Sequence, residues 1–108
     1  MSSDQTVTAN FALVTCVNDL SGRGTAGLFS KPDRIDLTWT SFGNATSYNV
    51  LRGTAPGAES PVPIGVAAGP SYTDTRGLVK GTTYYYVVLP VNNGAPVCTS
   101  NEAAVKAP

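Results

Sequence analysis

The chain has 108 residues, close to the commonest size of one domain, so it can bury one core but does not divide into two. Its seven Lys and Arg balance its seven Asp and Glu, and no run of like charge occurs. This balance argues against a nucleic-acid interface and against a patch for anionic membranes. Charged residues make up only 13% of the chain, as is typical of proteins built from strands and turns.

Neither a membrane-spanning segment nor a secretory leader is visible in the sequence. The longest apolar stretch, Tyr84 to Val91, is far shorter than the roughly 20 residues that a membrane helix needs. The N-terminus lacks the basic start and the apolar run of a signal peptide. We therefore expect no membrane insertion, and a chain that is mature, trimmed or exported by another route.

The first part of the chain has the weakest pattern. Residues 1–10 are predicted to be an N-terminal tail, and residues 11–108 a single domain. Phe11–Val17 has the composition of an opening strand. The glycine-rich stretch Asn18–Gly27 is predicted to be a connection that follows it.

Three later segments have the alternation or the β-branched and aromatic composition of half-buried strands: 34–40, 47–52 and 83–91. Their predicted core-facing residues are Ile35, Leu37, Trp39, Tyr48, Val50, Tyr84, Tyr86 and Val88. No stretch has helical spacing of any length. These segments therefore predict an all-β protein.

The remaining segments are shorter. The proline-rich stretch Gly53 to Ser71 leaves room only for brief strands at Ile64–Ala67 and Ser71–Thr75. Asn93-Gly94 favours the positive φ angles of a tight hairpin. It predicts that the Tyr-rich strand and a final strand, Cys98–Lys106, are neighbours.

Three parts of this sequence resemble the fibronectin type III family. Ile35–Trp39 followed by Ala45–Arg52 is similar to strands B and C of that family. Tyr72-Thr73-Asp74, Leu78 and Gly81–Val88 resemble its E–F corner, and Ser100–Pro108 resembles strand G of bacterial members. Residues Trp39, Leu78, Gly81 and Tyr84 carry the likeness in the right order.

The resemblance implies a seven-stranded antiparallel β-sandwich of immunoglobulin-like type. It places Trp39 across the core and lets the Tyr84 hydroxyl bond the backbone near the turn. The core signature is predicted to comprise Trp39, Tyr48, Leu78, Tyr84 and Tyr86. Two departures stand out: Pro90 predicts that strand F ends or bulges there, and the connection from Val17 to Asp33 is longer than the usual A–B turn, which makes it a candidate loop or docking element.

Cys16 and Cys98 are too few for a metal cage, and without His the usual zinc patterns cannot form. Two interpretations remain: the cysteines form a disulfide, or they are two buried thiols. The resemblance implies that strands A and G start at the same end of the sandwich, which would bring the two cysteines together. We favour the disulfide, whose long loop would contribute about 4 to 5 kcal/mol in the chain-entropy model.

The sequence shows no evident catalytic residues, so we expect that the protein is not an enzyme and binds no cofactor. The chain has no His, and hydroxyls such as Ser41 and Thr99 have no visible activator. The carboxylates show no paired spacing and are expected to be solvated surface groups. They are Asp33, Asp36, Asp74 and Glu102.

Two sets of residues are candidates for an interaction surface. Tyr85, Val87 and Leu89 should face away from the core, where they either pack under neighbouring side chains or a loop, or form a contact surface for a partner subunit. The turn residues complete the candidate surface: Phe42, Asn93 and Gly94.

Our first hypothesis is a structural or adhesive module that binds other proteins or copies of itself on a virion surface or an extracellular filament. A polar tail that starts at Met1 would be most easily ordered by such a neighbour. The alternative is a carbohydrate-associated spacer or accessory module of a secreted bacterial enzyme, with weak sugar contacts through Tyr85 and Phe42. Both place the protein outside the cell or on a virion.

Overall fold

A computed structural model describes residues 16–27 and 32–108. All of its regular structure is β-strand, as the sequence predicts. The strands are β1 (Ser21–Thr25), β2 (Arg34–Thr38), β3 (Ser47–Gly53), β4 (Gly65–Ala67), β5 (Ser71–Asp74), β6 (Thr83–Asn92), β7 (Ala95–Pro96) and β8 (Ala103–Lys106).

The strands form two antiparallel sheets. Strands β1, β2 and β5 make the three-stranded sheet in the order β1-β2-β5. The five-stranded sheet has the order β4-β3-β6, and both β7 and β8 pair with the far side of β6. The expected antiparallel β-sandwich is confirmed. The described residues contain eight strands, which include the unpredicted β1 and the short β7.

The core lies between the sheets and is built from the alternating residues of each strand. Ile35 and Leu37 of β2 face Val50 of β3 and Tyr86 and Val88 of β6, and all five are fully buried. Trp39 lies just beyond β2 and packs edge-on against Tyr48, with ring centroids 5.2 Å apart and planes at 67°. Such a T-shaped pair contributes beyond the area that it buries.

Strand β1 corrects the prediction that Asn18–Gly27 is only a connection. It pairs with β2 over its whole length, from Ser21 opposite Thr38 to Thr25 opposite Arg34. A Cβ added at Gly22 would clash with the Val105 side chain. The glycines that hid the strand from sequence reasoning are therefore required by the close approach of β8.

Strand β6 corrects the prediction that the strand ends or bulges at Pro90. It runs from Thr83 to Asn92, with Pro90 paired to Tyr48 and fully buried. The Pro90 carbonyl accepts a hydrogen bond of 2.8 Å from the Val97 N–H. Pro90 has no N–H to donate in return, so the sheet lacks one hydrogen bond at this point. The adjacent chain between β7 and β8 is already irregular there.

The final part of the chain follows the prediction in part. Asn93 and Gly94 have φ angles of 54° and 80°, as the predicted hairpin requires. The predicted strand Cys98–Lys106 is shorter than expected, since only Ala103–Lys106 is a strand. The predicted tail of residues 1–10 and most of the predicted strand Phe11–Val17 lie outside the described residues.

Candidate functional site

The turn between β2 and β3 and the Asn93–Gly94 turn lie at one end of the sandwich, which we call the disulfide end. Cys16 and Cys98 are bridged there, with their Cα atoms 5.9 Å apart. The favoured disulfide is confirmed, and the alternative of two buried thiols is wrong. The bridge joins the segment before β1 to the segment between β7 and β8.

Asn101 reinforces this junction and was missed in the sequence. Its side chain accepts a hydrogen bond from the Leu20 N–H at 2.9 Å and donates one to the Leu20 carbonyl at 3.0 Å. Its own N–H donates to the Val17 carbonyl at 3.2 Å. Val17 and Leu20 are buried in the core, so the segment that follows Cys16 is held by packing as well as by the disulfide.

The turn residues of the candidate surface share the disulfide end. The Phe42 N–H donates to the Tyr48 hydroxyl at 2.8 Å, and the Phe42 side chain is partly buried against the core. Asn93 and Gly94 are exposed at the tip of the hairpin. The Thr46 N–H donates to the Val91 carbonyl at 2.8 Å and holds the two turns side by side.

Val87 is the least exposed of the three candidate residues on the outer face of the five-stranded sheet. Its exposed fraction is only 7%, whereas Tyr85 and Leu89 are half-buried. The loop of residues 54–62 leaves β3, yet its Gly57 N–H donates to the Glu102 carboxylate at 2.7 Å, just before β8. Because β3 and β8 pair with opposite sides of β6, the loop crosses β6 on the outer face of the sheet, the face on which Val87 lies.

The carboxyl groups of Glu59, in this loop, and Glu102, just before β8, interact with each other. Burial raises the pKa of Glu59, and the neighbouring Glu102 raises it further. The pKa of Glu102 is lowered by its hydrogen bond with Glu59 and then by that with the Gly57 N–H. Glu59 therefore keeps a proton to higher pH than an ordinary glutamate, and the pair carries less than two negative charges near the usual titration range.

The two aromatic residues considered for sugar contact are not brought together. Tyr85 lies opposite Gly53 on the outer face of the sheet. Phe42 is bonded to Tyr48, which is paired with Pro90 and points into the core. Tyr85 and Pro90 are five residues apart on β6, about 17 Å. Phe42 packs against the core at the disulfide end, whereas Tyr85 lies on the outer face, so the two rings do not form one stacking platform.

Asp74 corrects the prediction that all four carboxylates are solvated. Its side chain is fully buried. It accepts hydrogen bonds from the Tyr86 hydroxyl at 2.6 Å, from the Arg52 guanidinium at 2.9 Å and from the Arg76 N–H at 3.0 Å. Burial and the bond to Asp74 raise the pKa of Tyr86. A charge buried with these partners is satisfied and fixes the spacing of the two sheets.

The turn after β5 is fastened by the same cluster. The Arg52 guanidinium also donates to the Arg76 carbonyl at 2.6 Å and lies over the Tyr84 ring, 4.9 Å from its centroid. The Tyr84 hydroxyl accepts a hydrogen bond from the Val79 N–H at 2.8 Å. Leu78, the predicted corner leucine, is partly buried against the core.

In residues 16–27 and 32–108, no group of three or more His, Cys, Asp or Glu could hold a metal ion. Within the same ranges no helix is long and apolar enough to cross a bilayer.

No family model matches the chain. Among solved structures, a Fn3-like protein from Clostridium thermocellum is 37% identical, with a TM-score of 0.69, over 85% of this chain and 91% of that one. The chain belongs to the fibronectin type III family. The resemblance carried by Trp39, Leu78, Gly81 and Tyr84 is thereby confirmed at the level of the family.

Two longer proteins contain segments similar to this fibronectin type III module. A poly(3-hydroxybutyrate) depolymerase of Ralstonia pickettii is 38% identical over 58 residues, which are 54% of this chain and 10% of the depolymerase. A β-1,2-glucanase from Parabacteroides distasonis shares the fold at 20% identity and a TM-score of 0.61, with 85% of this chain matched to 13% of the glucanase. The module thus spans a small part of each.

Proposed function

We propose that this fibronectin type III module is a non-catalytic spacer or accessory domain of an extracellular enzyme that degrades a polymer. The observation that carries the proposal is the 38% identity to a depolymerase of which the module matches only 10%. A module that matches so small a part of a longer enzyme fits an appended domain, and folds of this kind serve many unrelated proteins.

The disulfide supports an extracellular location. Bridged cysteines persist in oxidising compartments and are rare in the reducing cytosol. Cys16 and Cys98 are joined in a chain that has no further cysteine. The finer hypothesis of a subunit that decorates a virion or a filament stays a prediction, and one experiment separates it from the spacer.

The test is the oligomeric state of the isolated chain together with its activity. A spacer is expected to be monomeric by light scattering at every concentration examined and to release no product from poly(3-hydroxybutyrate), pectin or β-glucan. Rings, filaments or stable dimers would support the decorating subunit. Hydrolysis that survives repeated purification would show that the module itself is catalytic.

A second measurement distinguishes a spacer from a binding domain. Because Tyr85 lies on the outer face of the sheet and Phe42 packs against the core at the disulfide end, we expect no co-sedimentation with insoluble polysaccharide or polyester above that of an unrelated protein. Co-sedimentation that is lost in Tyr85→Ala but kept in Tyr72→Phe would assign polymer binding to the outer face and overturn the spacer.

A further inference from the structure

A module that links two parts of a longer protein carries any tension between them, and the disulfide makes the covalent path through this chain short. We propose that the Cys16–Cys98 disulfide makes the module a nearly inextensible link, in which tension applied at its two ends bypasses the 82 residue steps between the cysteines. The relevance to a parent enzyme rests on the proposed spacer function. The force response belongs to the chain itself and is measured separately.

The path of the tension follows from connectivity. A pull that arrives through Cys16 passes across the S–S bond to Cys98, and from there along the chain to Pro108. Strands β1 to β7 all lie inside the closed loop. Unfolding them releases no length between the ends, because the bond that closes the loop does not open.

The segment that does carry the tension is already almost straight. The Val97 N–H bonds the Pro90 carbonyl, and the Ala107 N–H bonds the Thr82 carbonyl. Residues 97–107 therefore run beside residues 82–90 of the adjacent strand, about 26 Å at 3.3 Å per residue. Fully extended, ten residues reach about 36 Å, so tearing β8 from β6 adds only about 10 Å.

The same chain without the bond behaves differently. Tension then runs through every residue from Cys16 to Pro108, and the 82 released steps add about 300 Å of contour length at roughly 3.6 Å each. The bridge thus changes the extensibility about thirtyfold. Its reduction converts the disulfide and two thiols of dithiothreitol into two cysteine thiols and the cyclic disulfide of the reagent, with two electrons and two protons transferred.

Single-molecule stretching tests this proposal. The chain is placed between reference domains of known unfolding length, and its contour-length increment is measured without reductant, with dithiothreitol, and in the Cys16→Ser/Cys98→Ser double variant. Residues 1–15 precede the closed loop in all three samples, so the increments are compared for the segment from Cys16 to Pro108. For that segment we expect about 10 Å with the disulfide intact and about 300 Å in the other two samples.

The end-to-end length at high force can be measured whether or not the double variant is folded. A folding defect in that variant therefore does not prevent the comparison. An increment of about 300 Å in wild-type chain whose intact disulfide is verified by mass spectrometry would overturn the proposal, as would a short increment in the reduced chain. Loss of the proposed spacer role through oligomerisation or activity would leave this measurement unaffected.

Discussion

The buried carboxylate of Asp74 on β5 accepts a hydrogen bond of 2.6 Å from the Tyr86 hydroxyl on β6, and this bond joins the two sheets across the core. Arg52, from β3, neutralises the same carboxylate. A charge with no exposed surface is tolerated only while such partners are in place, because moving a carboxylate out of water is costly.

The ion pair between Arg52 and Asp74 predicts a large effect of removing the cation. In Arg52→Met the carboxylate stays buried without its counter-charge, so we expect the free energy of unfolding at neutral pH to fall by about 3 to 5 kcal/mol in urea titrations. The matched control is Arg34→Met, whose ion pair with Asp36 is exposed and should matter by less than about 1 kcal/mol. Equal losses in the two variants would show that burial does not set the value of these pairs.

The glycines of β1 predict a steric effect. In Gly22→Ala the new methyl group clashes with the side chains of Val105 and Leu37, so these side chains or the backbone of β1 must shift. We expect a loss of about 1 to 3 kcal/mol in unfolding free energy. Gly69→Ala is the control, because nothing lies within 4 Å of its added Cβ. An unchanged stability for Gly22→Ala would contradict the close approach of β1 and β8.

The loop of residues 54–62 predicts a local opening rather than a global one. Glu102→Ala removes the acceptor of the Gly57 N–H, so the amide of Gly57 should exchange its hydrogen faster and Val87 should become more exposed. Glu102→Gln keeps an oxygen acceptor and should retain most of the protection. Amide hydrogen exchange of the two variants is measured by NMR. Equal protection in Glu102→Ala would mean that other contacts hold the loop.

The hydrogen bonds of Asp19 predict that the stability of the fold depends on pH. Hydrogen bonds from the Thr40 hydroxyl and then the Thr40 N–H lower its pKa. A carboxylate whose folded pKa lies below its unfolded value contributes stability above the unfolded value, and this is lost as the pH falls through the folded one. Thr40→Val should raise the pKa of Asp19 toward its ordinary value, as carboxyl NMR titration would show, whereas Thr38→Val should leave it unchanged. A Thr40→Val titration that matches the wild type would remove the hydroxyl as the cause.

The strands that carry long side chains were predictable, because alternation is a local property. Residues 34–38 and 47–53 show it directly, and the structure places strands there. Strand β1 was not predicted, since its glycines have no side chain to alternate. What requires them is Val105, which lies more than 80 residues away in the sequence and reaches β1 only through the fold.

The burial of Asp74 could have been inferred. It shares a face with Tyr72 in β5, and Arg52 shares a face with Tyr48 and Val50 in β3. Two opposite charges on the core-facing sides of different sheets indicate a buried pair. Whether Val87 packs under a loop or lies on an open surface could not be decided from the sequence, because the answer depends on the path of a proline-rich loop with no repeating pattern.

The several contacts of Arg52 have a consequence for engineering. Its guanidinium connects β5, the Arg76 carbonyl and the Tyr84 ring, so replacing residues 75–82 in a combinatorial library would disturb the clamp between the sheets. The opposite turns, at Gly43 and Asn93-Gly94, are exposed at the end stapled by the S–S bond. A scaffold built on this sandwich should be randomised there.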